Sequence, residues 1–295
     1  MFGSTGIHLF VLLSGLGLYL SQLNKPLKFI PFIKKRVTKI YTPYIIIVII
    51  SAILSLFIPI YKNSLYALGG HVFLYKMFDE SIIGSYGYPL WFISMILQFY
   101  LTFNILTWMI KKLDNRYFLI ISFIISILWS ITVILLNKES ERIWNSFFLQ
   151  FLWEFAIGFI IASTLFKNNY QFNFKLKPIY LLLIGIISSS IYAILAIKGG
   201  DTGKVVNDIP ALIGYSFIAI WIYKLNIEKL NTFFTFTGKI SFAVYLLHIL
   251  ILNTALYIFN ALPIAITVSI SLITTYLIAI YYQKAIDIFL KRINL

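Results

Sequence analysis

The chain contains no cysteine, which excludes disulfides, thiolate nucleophiles and thiolate-held metals. Acid is scarce too: ten Asp and Glu stand against 24 Lys and Arg. The three histidines lie far apart without an HxxxH spacing, so no metal site is expected. Charged residues make up only 12% of the 295 positions, about half the share of a soluble domain. Apolar residues take their place, at 60% hydrophobic and 18% aromatic, with a mean hydropathy of +0.91. A soluble core of this size has no use for 27 Phe and 20 Tyr. The expected class is therefore all-α, a polytopic integral membrane bundle in the cell membrane, forming one membrane-embedded domain over 1–295. The net charge of +14 is then assigned to loop lysines that set topology and meet anionic lipid, and not to nucleic acid.

Nine apolar runs are long enough to cross a bilayer, at about 7–22, 39–60, 89–110, 117–136, 146–166, 178–197, 209–226, 239–259 and 263–286. The connections between them alternate in charge: one set carries 18 of the Lys and Arg, the other six. Basic loops stay in the cytoplasm, so the expected orientation has the N-terminus outside and the C-terminus cytoplasmic. The opening stretch "MFGSTGIHLFVLLSGLGLYLSQLNK" does not read as a signal peptide, because its positive charge follows the apolar run. An even number of spans with both ends inside would be simpler, and one helix ahead of Met1 would supply it. The connection from Tyr61 to Tyr88 is long enough for a lid or a re-entrant segment.

Ionisable residues inside a membrane are costly and are functional candidates by default. Two stand clearly within runs. His248, in "FAVYLLHILIL", lies about nine residues into the eighth run, roughly 13 Å deep at 1.5 Å per residue. A neutral imidazole there serves as a general base or as a hydrogen-bonded hub. Glu154, in "QFLWEFAIG", lies about eight residues into the fifth run. At that depth a carboxylate needs a Lys, Arg or Tyr partner, or a proton. His8 stands near the end of the first run, where interfacial solvation is the simpler reading. Lys35, Arg36 and Lys39 precede the second run at helical spacing, with Pro43 inside it. They form either a positive-inside anchor or a phosphate site at the cytoplasmic mouth. Trp91 reads as an aromatic-belt anchor, Gln98 as an interhelical hydrogen bond, and Gly15 and Gly17 as points of close helix approach.

Together these segments resemble the acyltransferase 3 family, membrane enzymes that move acetyl or other acyl groups onto sugars and envelope polymers. "GIHLFVLLSGLGLYLS" is similar to the family's second helix, and "KKRVTKIYTPY" to its basic entry into the third. "LWFISMILQFYL" resembles its LWF helix, "FLWEFAIGFIIA" its acidic-or-aromatic, Gly-containing helix, and "GKISFAVYLLHILIL" its late segment with a YLLH core. The motifs follow family order over nearly the whole chain. The family has ten helices, the first carrying an Arg and the His held to be catalytic. The chain opens where the second helix stands, which agrees with the charge count. In the basic motif the second Arg is Lys39.

The resemblance implies that acyl-CoA, such as acetyl-CoA, is a co-substrate bound from the cytoplasm, with no tightly bound cofactor. Its phosphates would meet Arg36, Lys39 and Lys35. An acceptor glycan would be acylated on the outer side, with Trp91, Tyr245 and His8 as substrate-binding residues. His248 and Glu154 are the catalytic candidates, His248 in a supporting or orienting role. Two other readings stand beside this one, a non-enzymatic polysaccharide exporter and an inactive relative lacking its first helix.

Overall fold

The computed structural model describes residues 5–26, 28–171 and 175–292. Among them the secondary structure is helical throughout, with no strand. Twelve α-helices follow one another: α1 (Thr5–Asn24), α2 (Phe29–Phe57), α3 (Leu65–Val72), α4 (Trp91–Lys112), α5 (Asn115–Leu135), α6 (Arg142–Asn145), α7 (Leu152–Lys167), α8 (Pro178–Lys198), α9 (Gly200–Val206), α10 (Asp208–Lys224), α11 (Glu228–Ile258) and α12 (Ile264–Arg292). Local chemistry fixes several starts. Asp114 caps α5 by accepting from the backbone N–H of Arg116 and Tyr117. Pro178 opens α8 at a position where its missing N–H costs nothing.

Each of the nine apolar runs carries a helix, but among the described residues seven helices are long and apolar enough to cross a membrane. An eighth is reached if α9 and α10 form one span across their 54° bend. α7 falls short at 16 residues, roughly 24 Å against a hydrocarbon core of about 30 Å. The reason lies just before it. Gln150, Phe151 and Leu152 each donate their N–H to the carbonyl three residues back, so the first residues of that run fold as tight turns instead of helix.

The chain divides into two compact units, Met1–Phe29 with Leu101–Glu228, and Ile30–Tyr100 with Lys229–Leu295, the division falling within α4. In the first unit α1 packs along α7, α8 along α10, and α5 against α7. The α1–α7 contact is close because each helix presents a glycine at the crossing. A Cβ on Gly158 would lie 2.3 Å from the Leu12 carbonyl oxygen, and one on Gly15 equally near that of Phe155. Gly17 meets nothing within 4 Å, so of the two expected approach points only Gly15 is one.

In the second unit α2, α11 and α12 run 29, 31 and 29 residues. The Tyr282 hydroxyl of α12 donates to the Pro43 carbonyl of α2 at 2.6 Å. Thr237 of α11 and Tyr276 of α12 share a hydrogen bond at 2.9 Å.

Gly158→Ala should destabilise the protein by about 1–3 kcal/mol, because backbone atoms cannot yield to the new methyl, while Gly17→Ala should leave stability unchanged. Thermal unfolding of both variants in detergent micelles checks the pair.

Candidate functional site

Two polar clusters emerge, one in each unit. In the first unit, His8 of α1 is buried, not solvated at an interface as its position implied. Its Nδ1–H donates to Glu154 Oε1 of α7 at 2.7 Å, so the partner that Glu154 requires is an imidazole, and neither a Lys, an Arg nor a Tyr. On the other edge of the ring, Nε2 lies 3.7 Å from Asp208 Oδ1, at the start of α10. Asp208 Oδ2 accepts from the Gln150 amide at 2.6 Å, and the same nitrogen donates to the Val205 carbonyl at 2.8 Å. Ser130 of α5 donates to Gln150 Oε1 at 3.0 Å. Among the described residues, Glu154 Oε2 is buried without a hydrogen-bond partner.

The second unit holds most of the other candidates. Lys35, Arg36 and Lys39 stand on the first turns of α2, which begins at Phe29. Lys35 and Lys39 are exposed and Arg36 is half-buried, its guanidinium 5.9 Å above the Phe32 ring. Eight residues beyond Arg36, roughly 12 Å along the helix, Tyr44 is buried and donates its hydroxyl proton to His71 Nδ1 at 2.7 Å. His71 Nε2–H then donates to the Ser85 carbonyl at 3.0 Å. This tautomer is assigned from the network of partners. Lys76 is also buried, and its ammonium donates to the carbonyls of Ser85 at 2.7 Å and Gly87 at 2.6 Å. Burial pushes Lys76 down from 10.5 to about 7. Burial, with Lys76 adding to it, pushes His71 down to about 3, so this imidazole is neutral at physiological pH.

The Ser85–Leu90 loop held by Lys76 and His71 leans on α11. Gly87 has φ +123°, and a Cβ there would come 2.9 Å from Ile249 Cγ2. The Tyr245 hydroxyl donates to the Pro89 carbonyl at 2.5 Å. One turn on, His248 Nδ1–H donates to the Tyr245 carbonyl at 2.6 Å. With Nδ1 carrying the proton, the lone pair of the neutral ring sits on Nε2. Trp91 is buried at the head of α4, which rules out the exposed belt position its location implied. Gln98 donates to the Met77 sulfur at 3.5 Å.

Of the sequence candidates, then, the structure joins His8 with Glu154 in one unit and places Tyr245 beside His248 in the other. It adds His71, Lys76, Asp208 and Gln150. Lys76 and His71 stand in the long connection, where the sequence offers only the signal of a possible lid. Asp208 precedes its apolar run by one residue.

The acyltransferase 3 family model, an acyltransferase domain, matches residues 1–283. No curated protein and no solved structure matches the chain.

The lowered Lys76 value gives stability a pH dependence with a definite sign. From about pH 7 to about 10 the unfolded chain holds a proton that the folded one has lost, so stability rises with pH across that window. Lys76→Met should flatten this rise, as thermal unfolding at a series of pH values would show.

Proposed function

From the membership of this chain in the acyltransferase 3 family, whose acyltransferase domain spans residues 1–283, we propose that it transfers an acyl group, acetyl above all, from cytoplasmic acyl-CoA to a hydroxyl of a cell-envelope or secreted glycan. The observation that supports this reading is the tautomer of His248. Its Nδ1–H is engaged by the Tyr245 carbonyl, and the free lone pair on Nε2 is what a general base requires. His248 is only half-buried, so a hydroxyl can reach it, whereas both nitrogens of His71 are already engaged.

Nε2 takes the proton of the acceptor hydroxyl as its oxygen attacks the thioester carbonyl. A C–O bond forms, the tetrahedral intermediate collapses, and the C–S bond breaks. The imidazolium returns its proton to the departing CoA thiolate. The basic turns of α2 face the cytoplasm on this reading. Arg36 supplies a forked donor to the CoA phosphates, and Lys35 and Lys39 supply point charges. Tyr245 orients His248 through its carbonyl. Glu154 and His8 pair with each other in the first unit and take no part in these steps.

His248→Ala should lower kcat by about 10²–10⁴-fold with KM for acyl-CoA little changed. Arg36→Ala should raise that KM roughly tenfold or more, the worth of a charge-assisted hydrogen bond. Transfer of labelled acetyl to envelope glycan by membranes carrying each variant is the measurement. Full activity in both variants overturns the site. Normal glycan acylation with polymer retained inside cells lacking the protein would favour export instead.

A further inference from the structure

Beside the His8–Glu154–Asp208 cluster the first unit contains a cavity of about 180 Å³. Its wall includes Asp208, Gln150 and Ser130, and otherwise Ile127, Ile131, Ile209 and their apolar neighbours. The two kinds of lining differ in burial. Asp208 and Gln150 are buried, at 7% and 3% exposed, whereas Ile127, Ile131 and Ile209 are 41%, 47% and 42% exposed. Ile127 and Ile131 lie on α5, which is long and apolar enough to be a membrane span, so in a bilayer the exposed side of the cavity would face hydrocarbon. A polar inner end and a lipid-facing mouth describe a site entered sideways from the bilayer.

We propose that this cavity binds the hydroxyl head of a membrane amphiphile, a long-chain alcohol or a lipid with a free hydroxyl, with its apolar chain leaving past the isoleucines. The inner end calls for a donor, since the carboxylate of Asp208 is an acceptor and the Gln150 amide nitrogen is already committed to Asp208 and Val205. A neutral donor suits it better than a cation, because His8, held by Glu154 on its other edge, already stands 3.7 Å from Asp208. The hydroxyls of Ser126 and Ser130 also line the cavity, but their protons are already donated to the Leu149 carbonyl and to Gln150 Oε1, so they too are acceptors. The nearby Asp201–Lys204 pair of α9 is half-exposed and closed on itself at 2.6 Å. Binding involves no bond-breaking step, and it is independent of acyl transfer in the second unit.

The test uses the full chain in nanodiscs with three photoreactive probes of one length, an alkyl-diazirine alcohol, the matching amine and the matching alkane, mapped by peptide mass spectrometry. The alcohol should label segments 123–134 and 205–209 above the alkane. Ile131→Trp, which fills the mouth, should abolish that excess, and Asp208→Leu should reduce it roughly tenfold, the loss of one hydrogen bond to a charged acceptor. Equal labelling by alcohol and alkane would overturn the proposal, as would an excess untouched by Ile131→Trp. Stronger labelling by the amine would replace the hydroxyl class with a cation. Since the readout is labelling, an inactive protein leaves the test intact.

Discussion

The first unit depends on the meeting of α1 with α7. Glu154 is fully buried, and a carboxylate left alone in such a place is among the most costly groups a helical bundle can hold. The His8 ring meets it at 2.7 Å, which requires the two helix backbones to approach closely. Gly15 and Gly158 make that approach possible by leaving the crossing bare. A bulkier residue at either glycine would push the helices apart and so separate imidazole from carboxylate. Packing and electrostatics are thus one constraint here: the glycines set the distance, and the ion pair makes any other distance expensive.

The second unit uses the opposite device. Here a short loop is tied down from several sides. His71 and Lys76 converge on the Ser85 carbonyl, Lys76 adds Gly87, and Tyr245 takes the Pro89 carbonyl. Backbone carbonyls are obligatory acceptors, and burying them without donors costs free energy. The buried ammonium satisfies two of them at once without a carboxylate, and that is why burial and not an ion pair governs its protonation. Tyr44 links this cluster to the helix that carries Lys35, Arg36 and Lys39.

Much of the architecture is legible from residue order alone. A run of twenty apolar residues is recognisable without knowing its partners, and a lysine-rich connection needs no tertiary contact to be noticed. The demand of Glu154 for a partner is legible for the same reason. The identity of that partner is not, because His8 lies 146 positions away and only neighbours three or four apart can be read from helical spacing. Lys76 counts as one more loop charge until the loop is seen folded over it. Asp208 stands at the edge of its run, and only the bend between α9 and α10 shows that it turns inward. The shortness of α7 is hidden as well, since the residues before it are as apolar as the helix they fail to join.

The lengths of the helices in the second unit have a mechanical consequence. At 29 residues, α2 is roughly 43 Å long, some 13 Å more than the hydrocarbon thickness of an average bilayer. Its basic turns lie within its first 11 residues, from Phe29 to Lys39, a stretch roughly 16 Å long that covers the whole of that surplus. As a candidate span, the helix would act as a gauge: it would stand more upright in a thicker membrane and tilt in a thinner one, and the height of Arg36 would change with it. Because Tyr282 and Tyr44 tie α2 to its unit, sterol or chain-length composition would tune how far these cations project into the water by tilting that unit with the helix.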